Sequence, residues 1–309
     1  MPGVVLHSVL ATRVLAAWRA SGEEPFDVED ETNRNAFLCG AVGPDVGYFP
    51  GGDRLLSDLA HYVRTGQLAR ELLRQAECDA QAAFAWGWAT HILGDVLIHP
   101  LFNAAGGERV RGDREQPLSY DDDPVLHVRF EVGADAICGL ARWPDEAVRL
   151  RSVFDVASAE YLQRCFASTY GENVTQTSTH FASHQASVRY SPFLWKLMKV
   201  VNRRLQRRAV SADSLAFYLG VYLPAKALTS TVGRARPEYG ATHALAPPDW
   251  LAASIGDIVE EFPARFLQLA SSGLEDLPDY NLDLGVVEDQ PPEYPLTVAT
   301  LAQLEPRRA

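Results

Sequence analysis

Apolar residues recur at helical spacing along most of the chain, and each run predicts an element. Residues 4–18 predict a short apolar helix buried on several sides. Residues 53–77, with leucines at 55, 56, 59, 68, 72 and 73, predict two helical pieces broken at Gly66. The strongest pattern is 78–98, through Ala82, Ala83, Ala85, Ala89 and Leu93. A helix apolar on every side belongs at the centre of a fold. Pro100 is expected to end it, because proline disfavours the helical state at His99 and has no N–H to donate. Residues 40–52, containing AVGPDVGYFPGG, predict a structured loop, and 104–125 a polar one. Helical spacing returns at 126–140 and near 150–168, 191–208, 212–229 and 249–271. No repeat and no alternation long enough for a sheet is present, so the expected class is all-α. The expected organisation is one domain over 1–309: a core at 1–135, additional helices over 136–280, and an extended strap at 281–309 that is rich in Pro, Asp and Leu.

Composition narrows the partners. The chain has 309 residues, is 47% hydrophobic and carries a formal charge of −12. That charge argues against a basic face following a nucleic-acid backbone, so nucleic acid is an unlikely partner, although a metal site can supply local positive charge. Cys39, Cys78, Cys138 and Cys165 form no CxxC pair and read as buried thiols in a reducing compartment. His7 and Arg13 interrupt the first apolar run, which lacks a basic leader, and no apolar run reaches membrane-spanning length. A cytoplasmic protein without a transmembrane segment is expected; oligomeric state is left open.

The candidate chemistry lies in a few offsets. His91 and Asp95 (HILGD) are four apart, so their side chains share one helix face about 6 Å apart. His127 and Glu131 (HVRFE) repeat the offset, and His99 lies one turn beyond Asp95. Two helices each offering a nitrogen–oxygen pair can clamp metal ions within a bundle. One such pair alone is more often a helical hydrogen bond than a pair of metal ligands. A histidine in so apolar a helix needs a partner, and ligation supplies one. Imidazole and carboxylate without thiolate suit catalytic zinc, with manganese or iron(II) as alternatives.

These residues resemble the zinc-dependent phospholipase C family, related to the S1/P1 nucleases and to the catalytic domain of glycosylphosphatidylinositol-specific phospholipase D. HILGDV matches the family helix; the spacing His91-x3-Asp95-x3-His99 looks like the phospholipase D branch, since the secreted enzymes place the last histidine two residues later. GPD at 43–45 resembles the loop aspartate, His61 the next histidine, His127-x3-Glu131 the final pair and His7 the amino-terminal histidine. The resemblance covers 1 to about 135 and implies a multi-helix phospholipase C/P1 nuclease-like bundle with a metal cluster between core helices.

It further implies two or three zinc ions. One would be held by Asp45, His61, His91 and Asp95, a second by His99, His127 and Glu131, and a third by Asp95 with His7. In the secreted enzymes an N-terminal tryptophan amine binds a metal; the amine of Pro2 would take that role if Met1 is removed. The implied activity is hydrolysis of a phospholipid-like or small phosphorylated substrate, with Asp45 orienting or deprotonating the water. One alternative is the same scaffold recruited for a different metal-assisted reaction in specialised metabolism. Another is a non-enzymatic helical module with a structural metal, against which the mixed donor set counts. Tyr48, Phe49, Trp86 and Trp88 are candidates to line a pocket, though at least one of the two tryptophans is expected in the core. Arg109, Arg111 and Arg114 are candidates to meet a phosphate, with solvated surface the plainer reading. His180, His184 and His243 read as loop or helix-end residues, and Asp123 as a helix cap.

Overall fold

The apolar run at the middle of the sequence becomes the longest helix, and the other elements are arranged around it. The computed structural model describes residues 4–48, 54–123, 126, 127, 129–131, 133, 134, 156–171 and 247–287. In order these form α1 (Val4–Ser21), α2 (Glu31–Gly40), a 3-10 turn (Pro44–Tyr48), α3 (Arg54–Tyr62), α4 (Thr65–Arg74) and α5 (Asp79–Arg111). Helical residues between 126 and 134 follow, then α6 (Val156–Tyr170), α7 (Asp249–Ala270) and an antiparallel hairpin, β1 (Tyr280–Asn281) with β2 (Val286–Val287). Among the described residues the fold is all-α apart from that hairpin. The helices expected at 191–208 and 212–229, Phe49, Cys138, His180, His184, His243 and the strap beyond 287 lie outside the described residues.

α5 does not stop at Pro100 but runs on to Arg111, so 104–111 is helix rather than loop. A proline inside a helix forfeits one backbone bond and crowds the preceding turn, at about 3 kcal/mol. Burial of Ile98, Phe102 and Ala105 on both sides of it offsets that cost. The helix ends instead at Gly112, whose positive φ of 73° lets its N–H bond the Glu108 carbonyl.

The α3–α4 break also lies elsewhere than expected. The chain turns at Arg64, φ 51°, while Gly66 sits inside the first turn of α4. A Cβ at Gly66 would overlap the carbonyls of Leu277 and Pro278, so this glycine admits the C-terminal segment against α4. α2 has no counterpart in the periodicity, because its apolar residues are confined to its last turns. Its signal is the cap: Asp30 accepts from the N–H groups of Thr32 (2.7 Å) and Asn33 (3.0 Å).

α2 crosses α5 at two glycines. A Cβ on Gly87 would overlap the Phe37 carbonyl, and one on Gly40 the Phe84 carbonyl. Gly87→Ala must therefore separate the two helices, at a cost of about 1–3 kcal/mol or more. A fall in thermal midpoint of several degrees is expected; an unchanged midpoint refutes the close crossing. Below it, Trp18 packs edge-on against Phe26, Phe37, Trp86 and Phe266 at ring-centroid distances of 5.5–6.1 Å. Cys39 and Cys165 are buried thiols, but Cys78 is exposed at the start of α5. Among the described residues no helix is long and apolar enough to cross a membrane.

Candidate metal centre

Successive turns of α5 present His91, Asp95 and His99 along one face. α1 brings His7, the 3-10 turn Asp45, the last turn of α3 His61, and the segment at 126–134 His127 and Glu131. All are buried except His99, whose side chain is 13% exposed. Asp95 is the hub. Its carboxylate lies 3.0 Å from His7 Nε2, 3.0 Å from His91 Nε2, 3.3 Å from His99 Nε2 and 3.6 Å from His61 Nε2. Asp45 lies 3.3 Å from His61 Nε2. Glu131 lies 3.0 Å from His127 Nε2 and 3.5 Å from His99 Nε2. All eight residues singled out in the sequence thus converge.

The rings are fixed from their outer edges. His61 Nδ1 lies 2.7 Å from the Ser57 carbonyl and His91 Nδ1 3.0 Å from the Ala41 carbonyl. A carbonyl only accepts, so both Nδ1 atoms carry hydrogen and, in neutral rings, both Nε2 atoms present bare lone pairs. Yet those two Nε2 atoms face each other at 3.3 Å. Two lone pairs at that distance repel unless a proton or a cation lies between them.

The charges point the same way. Asp45, Asp95, Glu131 and Asp283 are buried carboxylates whose ion-pair partners among the described residues are all histidines. No lysine or arginine neutralises them there, so the countercharge is either protons on imidazole or bound metal. Burial pushes the Asp95 carboxyl up, but the imidazoles of His91, His99 and His7 outweigh it and hold the group well below the carboxylate range. Asp45 is held down in the same way, against burial, by His91, His61 and His7. Burial would lower the His99 imidazole, but Asp95, Asp283 and Glu131 drive it well above its ordinary value.

The donor set fits zinc. His7, His91 and Asp95 lie close enough to share one ion, as do Asp45, His61 and His91. Oδ2 of Asp45, Oδ2 of Asp95, Nε2 of His127 and Oε2 of Glu131 are buried without a hydrogen-bond partner. Orphaned acceptors set among buried imidazoles and carboxylates suit a ligand shell.

Several expectations change. Trp86 and Trp88 are both core: Trp86 packs on Trp18 and Phe266, and Trp88 on Phe84 and Phe166. Arg111 bonds the carbonyls of Gln116 and Pro117, and Arg114 pairs with Glu108 while lying 4.2 Å over the Trp250 ring. Arg109 is exposed, ten residues beyond His99, or about 15 Å along α5. The Asp123 cap is present, accepting from the Leu126 N–H at 2.9 Å.

Three residues were missed. A Cβ on Gly94, within HILGD, would lie 3.3 Å from His7 Nδ1, so the small residue leaves room for His7. Asn103 Oδ1 lies 3.1 Å from His127 Nδ1. Asp283 Oδ1 lies 3.8 Å from Nδ1 of both His99 and His127. Asn281, Asp283 and Gly285 carry an ordinary turn signal, but nothing local says which surface that turn will meet.

A search of characterised proteins and one of solved structures each found no match. The family model described as zinc-dependent phospholipase C matches residues 6–180, which extends the resemblance beyond 135 and takes in all eight converging residues but not Asp283. With more than half of its length matched, the chain belongs to the zinc-dependent phospholipase C family, whose general activity is zinc-dependent hydrolysis of phosphoesters.

Proposed function

We propose that this single metallohydrolase domain holds two or three zinc ions and hydrolyses a phosphoester bond of a phospholipid-like or small phosphorylated substrate. The observation that carries the reading is the close approach of His61 Nε2 and His91 Nε2, 3.3 Å apart among carboxylates that no lysine or arginine among the described residues neutralises. We assign Asp45, His61, His91 and Asp95 to one ion, His99, His127 and Glu131 to a second, and His7 with Asp95 to a third. Bound zinc supplies an acidified water and positive charge for the phosphoryl oxygens.

The chain's own groups do the rest. The Ser57 and Ala41 carbonyls hold the His61 and His91 rings with Nε2 inward, so little reorganisation is needed on binding. Asp45 turns one oxygen to His61 and leaves Oδ2 without a donor. We assign Asp45 to orient or deprotonate the attacking water through that oxygen. Arg111 and Arg114 are engaged with the Gln116 and Pro117 carbonyls and with Glu108, and we assign neither to the phosphate.

The test is metal content together with bis(p-nitrophenyl) phosphate turnover. Two or three zinc ions per chain, turnover abolished by a chelator and restored by zinc, are expected. Metal without any phosphoester turnover would move the scaffold to a different metal-assisted reaction. Full turnover in metal-free protein would falsify the reading.

A further inference from the structure

Six of the eight converging residues lie in α1, the 3-10 turn, α3 and α5 and two in the segment at 126–134, and Asp283 reaches them from the far end of the described chain. Its turn is fastened on three sides. The Leu282 N–H bonds the His61 carbonyl at 3.0 Å, and the Tyr280 N–H bonds Thr65 Oγ1 at 2.7 Å. Gly285, at φ 66°, lies so close to α5 that a Cβ there would sit 2.6 Å from Pro100 Cγ and 2.7 Å from the Val96 carbonyl. That carbonyl is the one Pro100 leaves without an N–H partner, so the interior proline and the glycine together form the seat of the turn.

From this seat Asp283 acts twice. Its main-chain carbonyl accepts from Asn103 Nδ2 at 2.7 Å, which fixes the amide so that Asn103 Oδ1 faces His127 Nδ1. An amide oxygen only accepts; His127 Nδ1 therefore carries the hydrogen, and Nε2, 3.0 Å from Glu131, is the bare nitrogen. The carboxylate, its Oδ2 held by the Tyr120 N–H at 3.1 Å, sets Oδ1 3.8 Å from Nδ1 of His99 and of His127, and that oxygen has no hydrogen-bond partner.

We infer that Asp283 is a positioning residue for the ion assigned to His99, His127 and Glu131: it lies behind both imidazoles and steadies them with Nε2 facing inward. The inference rests on the metal reading above. His99, His127 and Asp283 are also close enough to hold an ion directly. The Asn103 contact argues against that, because it occupies His127 Nδ1 on the side where such an ion would bind. A carboxylate behind a ligating imidazole fixes the ring and raises its basicity, and losing it typically weakens metal binding about 10–100-fold.

The experiment is zinc titration by chelator competition on wild type and Asp283→Asn, which keeps shape and main-chain carbonyl but loses the charge. The variant is expected to hold as many ions at saturating zinc as wild type, with one ion about 10–100-fold weaker and the others unchanged. The visible absorption of the cobalt(II)-loaded form should shift for that one ion, and the metal-free form should still unfold in one cooperative transition. Gly285→Ala, which unseats the turn without touching the carboxylate, should weaken the same ion. Unchanged affinity in a metal-binding wild type overturns the inference alone. Irrecoverable loss of one ion makes Asp283 a ligand and overturns it as well. A wild type without any zinc overturns both readings at once.

Discussion

Asp95→Asn is expected to empty the centre rather than merely slow it. Asp95 lies within 3.0–3.6 Å of four imidazole nitrogens from α1, α3 and α5, so its charge serves more than one proposed ion. Asparagine keeps the volume but loses the charge and one acceptor. Bound zinc should fall by at least one ion per chain. Bis(p-nitrophenyl) phosphate turnover should fall well beyond the roughly 10–100-fold that loss of an outer partner costs. Asp45→Asn should be milder in metal content, because among the described residues Asp45 pairs directly with one imidazole, that of His61, where Asp95 pairs with four. A fully metallated, fully active Asp95→Asn protein would remove the basis of the ligand assignment.

The second large effect is on pH. His99 is held well above its ordinary value of 6.5, so in metal-free protein its stabilising contribution is complete below 6.5 and is lost as pH rises through the raised value. Asp45, Asp95 and Asp283 are held below 3.8; their contribution is present above 3.8 and disappears as pH falls through the lowered values. Metal-free protein should therefore melt highest between about pH 4 and 6.5 and lose stability on the alkaline side. Zinc must displace the His99 proton, so its affinity should weaken by about tenfold per pH unit for each proton displaced. The zinc-induced rise in melting temperature should accordingly grow from about pH 5 to 8. Affinity that is flat over that range, or metal-free protein that gains stability above 6.5, contradicts this account.

What could be read from the chain beforehand follows the range of the physics involved. The His91–Asp95–His99 face was legible because i,i+4 spacing is a property of one helix. That His7, Asp45 and His61 join it came only through the family resemblance, since no local rule brings α1 and a glycine-rich turn to α5. Pro100 misled because local propensity was outweighed by burial on either side of it. Asp283 was illegible for a plainer reason: its effect depends on a contact with Asn103 180 positions away. Gly66 and Gly285 were visible as glycines, but their purpose, admitting the C-terminal segment against α4 and α5, is a tertiary one.

The seating of the 280–287 hairpin on α3, α4 and α5 has a consequence during synthesis. On an emerging chain the eight donors are all translated before residue 283, and closing so long a loop is slow relative to helix formation. Under the proposed ligand assignment, zinc captured at that stage meets His99 and His127 without the carboxylate behind them, so the ion they hold is bound more loosely and can leave. Docking of the hairpin then acts as a latch on that one ion, whose tight binding waits until residue 283 has emerged.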